Sequence, residues 1–243
     1  MENQSNAVPF VIGHRGAAGL APENTIASFR RAKIEGASWV EFDVMLSADG
    51  TPILFHDDTV NRTTNGRGAL AKLNLKEIQS LDAGRWFSDE FQGERVPTFR
   101  DAISEINALG LGANVEIKPT SGLGVETAKA TCALISSDWP DSLPLPVISS
   151  FDMSAMAVAK DLLPNIERAT LFGKLPEDWL SIVEQLDCKA VHISTRHVTQ
   201  AHVDATNRHD FPVRVYTVND AARGQELKEM GVSSIFTDRP DFF

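Results

Sequence analysis

Two imidazoles, three carboxylates, an arginine and a lysine stand at the ends of short apolar runs in this chain, where a hydrophobic core would reject them. They lie in Gly13-His14-Arg15-Gly16, Trp39-Val40-Glu41-Phe42-Asp43-Val44, Phe55-His56-Asp57 and Asn114-Val115-Glu116-Ile117-Lys118. If the strands carrying them lie side by side, the set suits a metal-assisted reaction on a phosphate ester. Alternate side chains of a strand share a face, so Glu41 and Asp43 point one way and Val40, Phe42 and Val44 the other. Two carboxylates roughly 6–7 Å apart along the backbone would repel each other in a barrel mouth and lose hydration, and a cation offsets both effects. By the same alternation Glu116 shares a face with Asn114 and Lys118, and it can complete an all-oxygen cage with Glu41 and Asp43. Oxygen ligands suit Mg²⁺ or Ca²⁺ better than zinc. The competing reading sets these acids on a solvent-facing strand; the apolar neighbours and the third acid favour the cage.

A single histidine is more often a packed or surface residue than a catalyst. His14 and His56 together change that weighing, because imidazole titrates near neutrality and a pair can divide general-base and general-acid work. Arg15 and Lys118 would hold the anionic oxygens. His192 lies on a strand and could line the pocket, whereas His197, His202 and His209 read as surface or loop residues. Tyr216 ends a strand and is expected to line the pocket. Trp86, Phe87 and Phe91 would either cover a small substrate or tether a loop. Thr237-Asp238-Arg239-Pro240 reads as capping or turn chemistry.

These groups need a scaffold that gathers strand ends. Strand-like and helix-like runs alternate almost to the C-terminus. Strands are expected at 10–13, 39–46, 113–117, 145–150, 168–172, 190–193, 213–218 and 234–237, with helices between them. Residues 51–56 return as a hairpin partner after the turn residues Ser47-Ala48-Asp49-Gly50. Helices are expected from Pro22-Glu23-Asn24-Thr25, where Asn24 or Thr25 caps, and from Thr98, Gly124, Met153, Pro176, Thr199 and Asp220, the last ending at Gly231. Residues 58 to about 97 interrupt the alternation, with one short helical patch at 75–81. An excursion of that length is often a lid or binding loop. Eight strands with helical crossovers predict an α/β fold, a (β/α)₈ TIM barrel with a small insertion after the second strand, as one domain over residues 1–243. No G-x-G-x-x-G turn supports a doubly wound sheet.

The formal charge of −10 over 243 residues repels nucleic-acid backbones and anionic membrane surfaces, so no nucleic-acid partner is expected. Met1 to Asn6 is polar and lacks the pattern of a secretory signal. No apolar run reaches the roughly 18–20 residues that span a bilayer. Cys132 and Cys188 have no metal-type spacing and read as packed, reduced thiols. A soluble, cytoplasmic protein without a membrane anchor is expected; self-association is left open.

The chain resembles the glycerophosphodiester phosphodiesterase family in an ordered set of motifs. They are His14-Arg15-Gly16, Pro22-Glu23-Asn24-Thr25, Glu41-Phe42-Asp43-Val44, Asp49-Gly50, His56-Asp57, Arg62-Thr63-Thr64, Leu81-Asp82-Ala83-Gly84, Trp86-Phe87, Pro97-Thr98, Glu116-Ile117-Lys118, Ser149-Ser150-Phe151, Thr217-Val218-Asn219 and Thr237-Asp238-Arg239-Pro240. The resemblance implies a TIM barrel with an inserted segment at about 58–97, and hydrolysis of a small glycerophosphodiester to sn-glycerol 3-phosphate and an alcohol with a divalent metal. It makes Glu41, Asp43 and Glu116 metal ligands, His14 and His56 the acid–base pair, and Arg15 and Lys118 phosphate contacts. Tyr216 stands where many relatives carry tryptophan, and Ser47 replaces a common threonine.

Overall fold

A computed structural model describes residues 7–243; the expectation drawn from Met1 to Asn6 lies outside the described residues. Nine strands form one sheet: β1 (Val11–Gly13), β2 (Trp39–Leu46), β3 (Pro52–Leu54), β4 (Gly112–Ile117), β5 (Val147–Ser150), β6 (Arg168–Phe172), β7 (Ala190–Ser194), β8 (Val213–Tyr216) and β9 (Ser234–Thr237). Eight of them run parallel in the order β1-β9-β8-β7-β6-β5-β4-β2, and pairing of β1 with β2 closes the barrel. The closing contact is one pair long, Gly13 with Val40, whereas β2 and β4 share six pairs. β3 lies antiparallel on the last three residues of β2 and is the expected hairpin return.

The helices are α1 (Ile26–Ile34), α2 (Leu75–Gln79), α3 (Phe99–Leu109), α4 (Gly124–Asp138), α5 (Met153–Leu162), α6 (Trp179–Gln185), α7 (Gln200–Asn207) and α8 (Ala221–Glu229). After β9 there is only a 3₁₀ turn, Pro240–Phe242. Side-chain caps fix most starts. Thr25, not Asn24, accepts from the Ser28 N–H, and Thr98 forms a reciprocal capping box with Asp101. Asp152, Thr199 and Asp220 cap α5, α7 and α8. Several sequence boundaries shift by a few residues; the strand expected from 145, for instance, starts at Val147. The helix expected from Pro176 starts at Trp179, because Pro176 opens a turn closed by the Trp179 N–H. The strand expected to reach Val218 stops at Tyr216.

Alternation along each strand sorts the core into two compartments. Val40, Phe42, Val44, Val115 and Ile117 face the helices, where Phe42 packs between Phe29 and Phe99 at centroid distances of 5.3 and 5.8 Å. Ile12, Trp39, Val147, Ala169, Ala190 and Phe236 form a separate cluster. Trp39 thus shares its face with Glu41 and Asp43: the strand buries an aromatic first and carries its acids toward its C-terminal end. A Cβ on Gly112 would come within 2.3 Å of the Trp39 ring, so the paired strand needs glycine there.

The insertion has its own nucleus. Val60, Leu70, Ile78, Ala83 and Val96 pack with Met45, Ile53 and Phe55. The aromatics Trp86, Phe87 and Phe91 contact each other edge-on at 5.7 and 5.6 Å. No helix among the described residues is long and apolar enough to cross a membrane. Both cysteines are buried and unbridged.

Candidate active site

The first loop after β1 is held in an uncommon shape. Arg15 has φ 48° and Gly16 φ 86°. A Cβ on Gly16 would lie within 2.3 Å of Ser28 Oγ, and that hydroxyl donates to the Arg15 carbonyl while accepting from the Ala17 N–H. The loop is therefore pinned to α1, and His14 and Arg15 project over the barrel mouth. His14 Nδ1 lies 2.6 Å from Asp238 Oδ1, just after β9, and its Nε2 lies 3.9 Å from Glu41 Oε2. Asp238 is itself held by the Asn219 amide at 2.6 Å. Although burial opposes it, the contact with His14 keeps the Asp238 carboxyl below its ordinary pKa.

His56 repeats the arrangement. Its Nδ1 lies 2.7 Å from Asp57 Oδ1. Arg62 donates to both oxygens of Asp57 and both oxygens of Glu23, all within 2.9 Å. Glu23 also accepts from Arg15 at 2.7 Å. Hydrogen bonding to Arg62 holds Asp57 well below the usual carboxylate range. Burial, partly offset by Asp43, lowers the His56 pKa from its usual value. With Nδ1 of each ring engaged by a carboxylate, Nε2 is the nitrogen left to meet a substrate, that of His14 having Glu41 Oε2 at 3.9 Å.

Glu41, Asp43 and Glu116 come together as the alternation predicts, at β2 and β4, where Asp43 and Glu116 are register partners. One oxygen of each lies within 4.8 Å of the others, and all three residues are buried. Burial, then the charges of Asp43 and Glu116, pushes the Glu41 carboxyl well above its ordinary pKa. Burial and Asp43 push Glu116 up to about 7. Asp43 goes the other way, to about 2, because Arg15 and Lys118 outweigh its burial. Arg15 Nε is 3.3 Å from Asp43, and Lys118 Nζ is 3.6 Å from both Asp43 and Glu116. Asn24, at φ 56°, binds Asp43 through its side-chain amide at 2.8 Å and takes the Asp43 N–H at 3.2 Å. Among the described residues Glu41 Oε1 and Glu116 Oε1 are buried without a hydrogen bond, although Glu116 Oε1 has the Lys118 ammonium at 3.6 Å. Three crowded carboxylates, two of which resist ionisation, with unshared oxygens are a donor set that fits a hard divalent cation.

Six of the eight sequence-predicted site residues, His14, Arg15, His56, Glu116, Lys118 and Tyr216, line one cavity of ≈ 670 Å³; Glu41 and Asp43 do not line it and are tied to it through Glu116 and Arg15. The Tyr216 hydroxyl donates to the Phe172 carbonyl at 2.9 Å, and its ring meets Phe151 edge-on. No residue of 58–97 lines this cavity; the insertion's aromatics contact one another, and its Arg62 binds Glu23 and Asp57. His192 is fully buried beneath the mouth, while His197 and His209 are exposed and His202 is half-buried. Four supporting residues had no role at the site in the sequence reading: Asp57, Asp238, Glu23 and Asn24. Adjacency to His56 was a usable signal for Asp57. Asp238, read as a turn residue, gave none, since its partner is 224 positions away.

Residues 14–242 match the Glycerophosphoryl diester phosphodiesterase family. The chain is 33% identical over 236 residues to the glycerophosphodiester phosphodiesterase of Caldanaerobacter subterraneus subsp. tengcongensis, covering 95% of this chain and 94% of that protein. Among solved structures it resembles an Oleispira antarctica phosphodiesterase in complex with the product sn-glycerol-3-phosphate, at 40% identity and TM-score 0.94, with 96% and 94% of the two chains covered. A glycerophosphodiester phosphodiesterase from Agrobacterium tumefaciens matches at 27% identity and TM-score 0.78, over 97% and 99% of the two chains.

Proposed function

The chain belongs to the glycerophosphoryl diester phosphodiesterase family, and from that membership we propose that it hydrolyses glycerophosphodiesters to sn-glycerol 3-phosphate and an alcohol within a single domain over residues 1–243. One observation carries the site assignment: two carboxylate-backed imidazoles line the same cavity as Glu116 of the buried acid triad. Glu41, Asp43 and Glu116 would hold a divalent cation, Mg²⁺ or Ca²⁺, which when bound neutralises developing charge and lowers the pKa of a neighbouring hydroxyl.

Arg15 and Lys118 bind the phosphoryl oxygens, and the cavity wall at Tyr216 confines the organic part of the substrate. His14 Nε2 takes the proton of the attacking oxygen. Asp238 at Nδ1 fixes the ring and stabilises the imidazolium that results. His56 Nε2 gives a proton to the departing alkoxide, with Asp57 in the matching position behind it. The buried, unbridged thiols accord with a reducing compartment, and we place the activity in the cytoplasm.

The test is release of sn-glycerol 3-phosphate from a panel of headgroups in Mg²⁺, Ca²⁺ and chelator. Release with a metal and its loss in chelator are expected. No release from any diester in either metal would overturn the reading, and undiminished release in chelator would remove the cation from it.

A further inference from the structure

Below the mouth lies a second, much smaller cavity of ≈ 20 Å³, lined by His14, Glu41, Asn114, Glu116, Ser149, Leu171, His192, Tyr216 and Phe236. His14, Glu116 and Tyr216 line both spaces, so the two meet at the site itself. His192 sits midway along β7, level with Leu171 of β6 and Arg214 of β8. It is 0% exposed, rests on the Phe236 ring at 4.9 Å, and neither ring nitrogen has a partner. Asn114 gives its amide N–H to Ser149 Oγ at 2.9 Å and leaves Oδ1 without a donor. A buried polar group of this kind is costly unless something binds it.

We infer that this cavity receives the terminal hydroxymethyl group of the substrate's glycerol, and that His192 reads its hydroxyl. The inference rests on the glycerophosphodiester reading above and adds to it the residue that recognises the far end of the glycerol. Size agrees: a cavity needs about 10–15 Å³ to take one water, so this one, at ≈ 20 Å³, takes a water-sized group such as the hydroxyl end of that arm and no acyl chain. Chemistry agrees too. Burial and the nearby Arg214 hold the His192 imidazole well below its ordinary pKa. A neutral ring offers one N–H and one lone pair, the complement of a hydroxyl's acceptor and donor. Asn114 Oδ1 supplies a second acceptor. Glycerol whose phosphate is held at Arg15 and Lys118 would reach this floor past His14, Glu116 and Tyr216, which line both cavities. His192 is thus a specificity-determining residue, and a diester acylated at the terminal hydroxyl is shut out.

The test compares wild type, His192→Leu and His192→Asn on three substrates: glycerophosphocholine, its propane-1,2-diol analogue lacking the terminal hydroxyl, and 1-acyl lysophosphatidylcholine. Calorimetry of sn-glycerol 3-phosphate against 2-hydroxypropyl phosphate gives a readout independent of turnover. Wild type should favour the glycerol diester in kcat/KM by about 10–100-fold, the usual effect of leaving one buried hydrogen-bonding group unpaired. His192→Leu should lose that preference by slowing on the glycerol diester alone, and His192→Asn should restore part of it. Product binding should follow the same pattern. Wild type indifferent to the hydroxyl, His192→Leu impairing both short diesters equally, or ready turnover of the lysolipid would each overturn the inference. Wild type inert toward all three would instead overturn the glycerophosphodiester reading on which it stands.

Discussion

The two imidazoles are built alike, and the likeness is chemical. Each presents Nε2 to the cavity and has a carboxylate at Nδ1, at 2.6 Å for His14 and 2.7 Å for His56. The partner fixes the tautomer and the orientation of the ring. His14→Ala and His56→Ala should each lower kcat by about 10²–10⁴, the usual worth of one acid–base group. Asp238→Asn should cost less, about 10–100-fold, as partners that orient a functional ring commonly do. If Asp238→Asn kept full kcat with an unchanged pH profile, the backing role would be wrong. The residues proposed to react stood out in the sequence because each is a polar intrusion in an apolar run. Their partners were not. Asp57, Glu23 and Asn24 sit in polar turns where such residues are ordinary, and Asp238 reaches His14 only after the barrel closes.

Elements were legible where periodicity and caps agree. Thr98 with Asp101, Thr199 and Asp220 mark helix starts that the structure reproduces to within a residue. The insertion was legible as an interruption, and its purpose was not. Its aromatics suggested either a cover or a tether, and they pack edge-on with each other, while Arg62 reaches the site. Arg62 clasps Glu23 of the first loop and Asp57 beside His56. Against the opposing effect of burial, hydrogen bonds from Arg62 depress Glu23; they also lead in depressing Asp57. Carboxyls with depressed folded-state values stabilise the fold above their unfolded value of about 4 and lose that contribution as pH falls. Arg62→Met should therefore cost about 1–2 kcal/mol at pH 7, a figure kept low because Arg62 is half exposed and screened. The cost should shrink toward zero below about pH 4. Urea denaturation of both proteins across that range checks it; a difference that stays constant with pH would argue against the clasp.

At the scale of the whole molecule, fold class came from the count of alternating elements, and composition supplied the packed thiols. Burial pushes Cys132 up to about 11 and Cys188 up to about 12. Neither should react with a thiol reagent at pH 8 in the folded protein, and both should react in denaturant; native labelling at the unfolded rate would contradict their placement. Closure of the barrel is less even than its eight-fold plan suggests. β1 pairs with β9 over three residues but with β2 over one, so the strand that carries His14 and Arg15 hangs mainly from one neighbour. The remaining fastening is the Arg15 N–H on Glu41 Oε2 at 3.0 Å and the Gly16 N–H on the Glu41 carbonyl at 3.2 Å. A phosphate gripped by Arg15 beyond β1 and by Lys118 beyond β4 would straddle that thin hem. Substrate held in that way would serve as a rivet as well as a reactant.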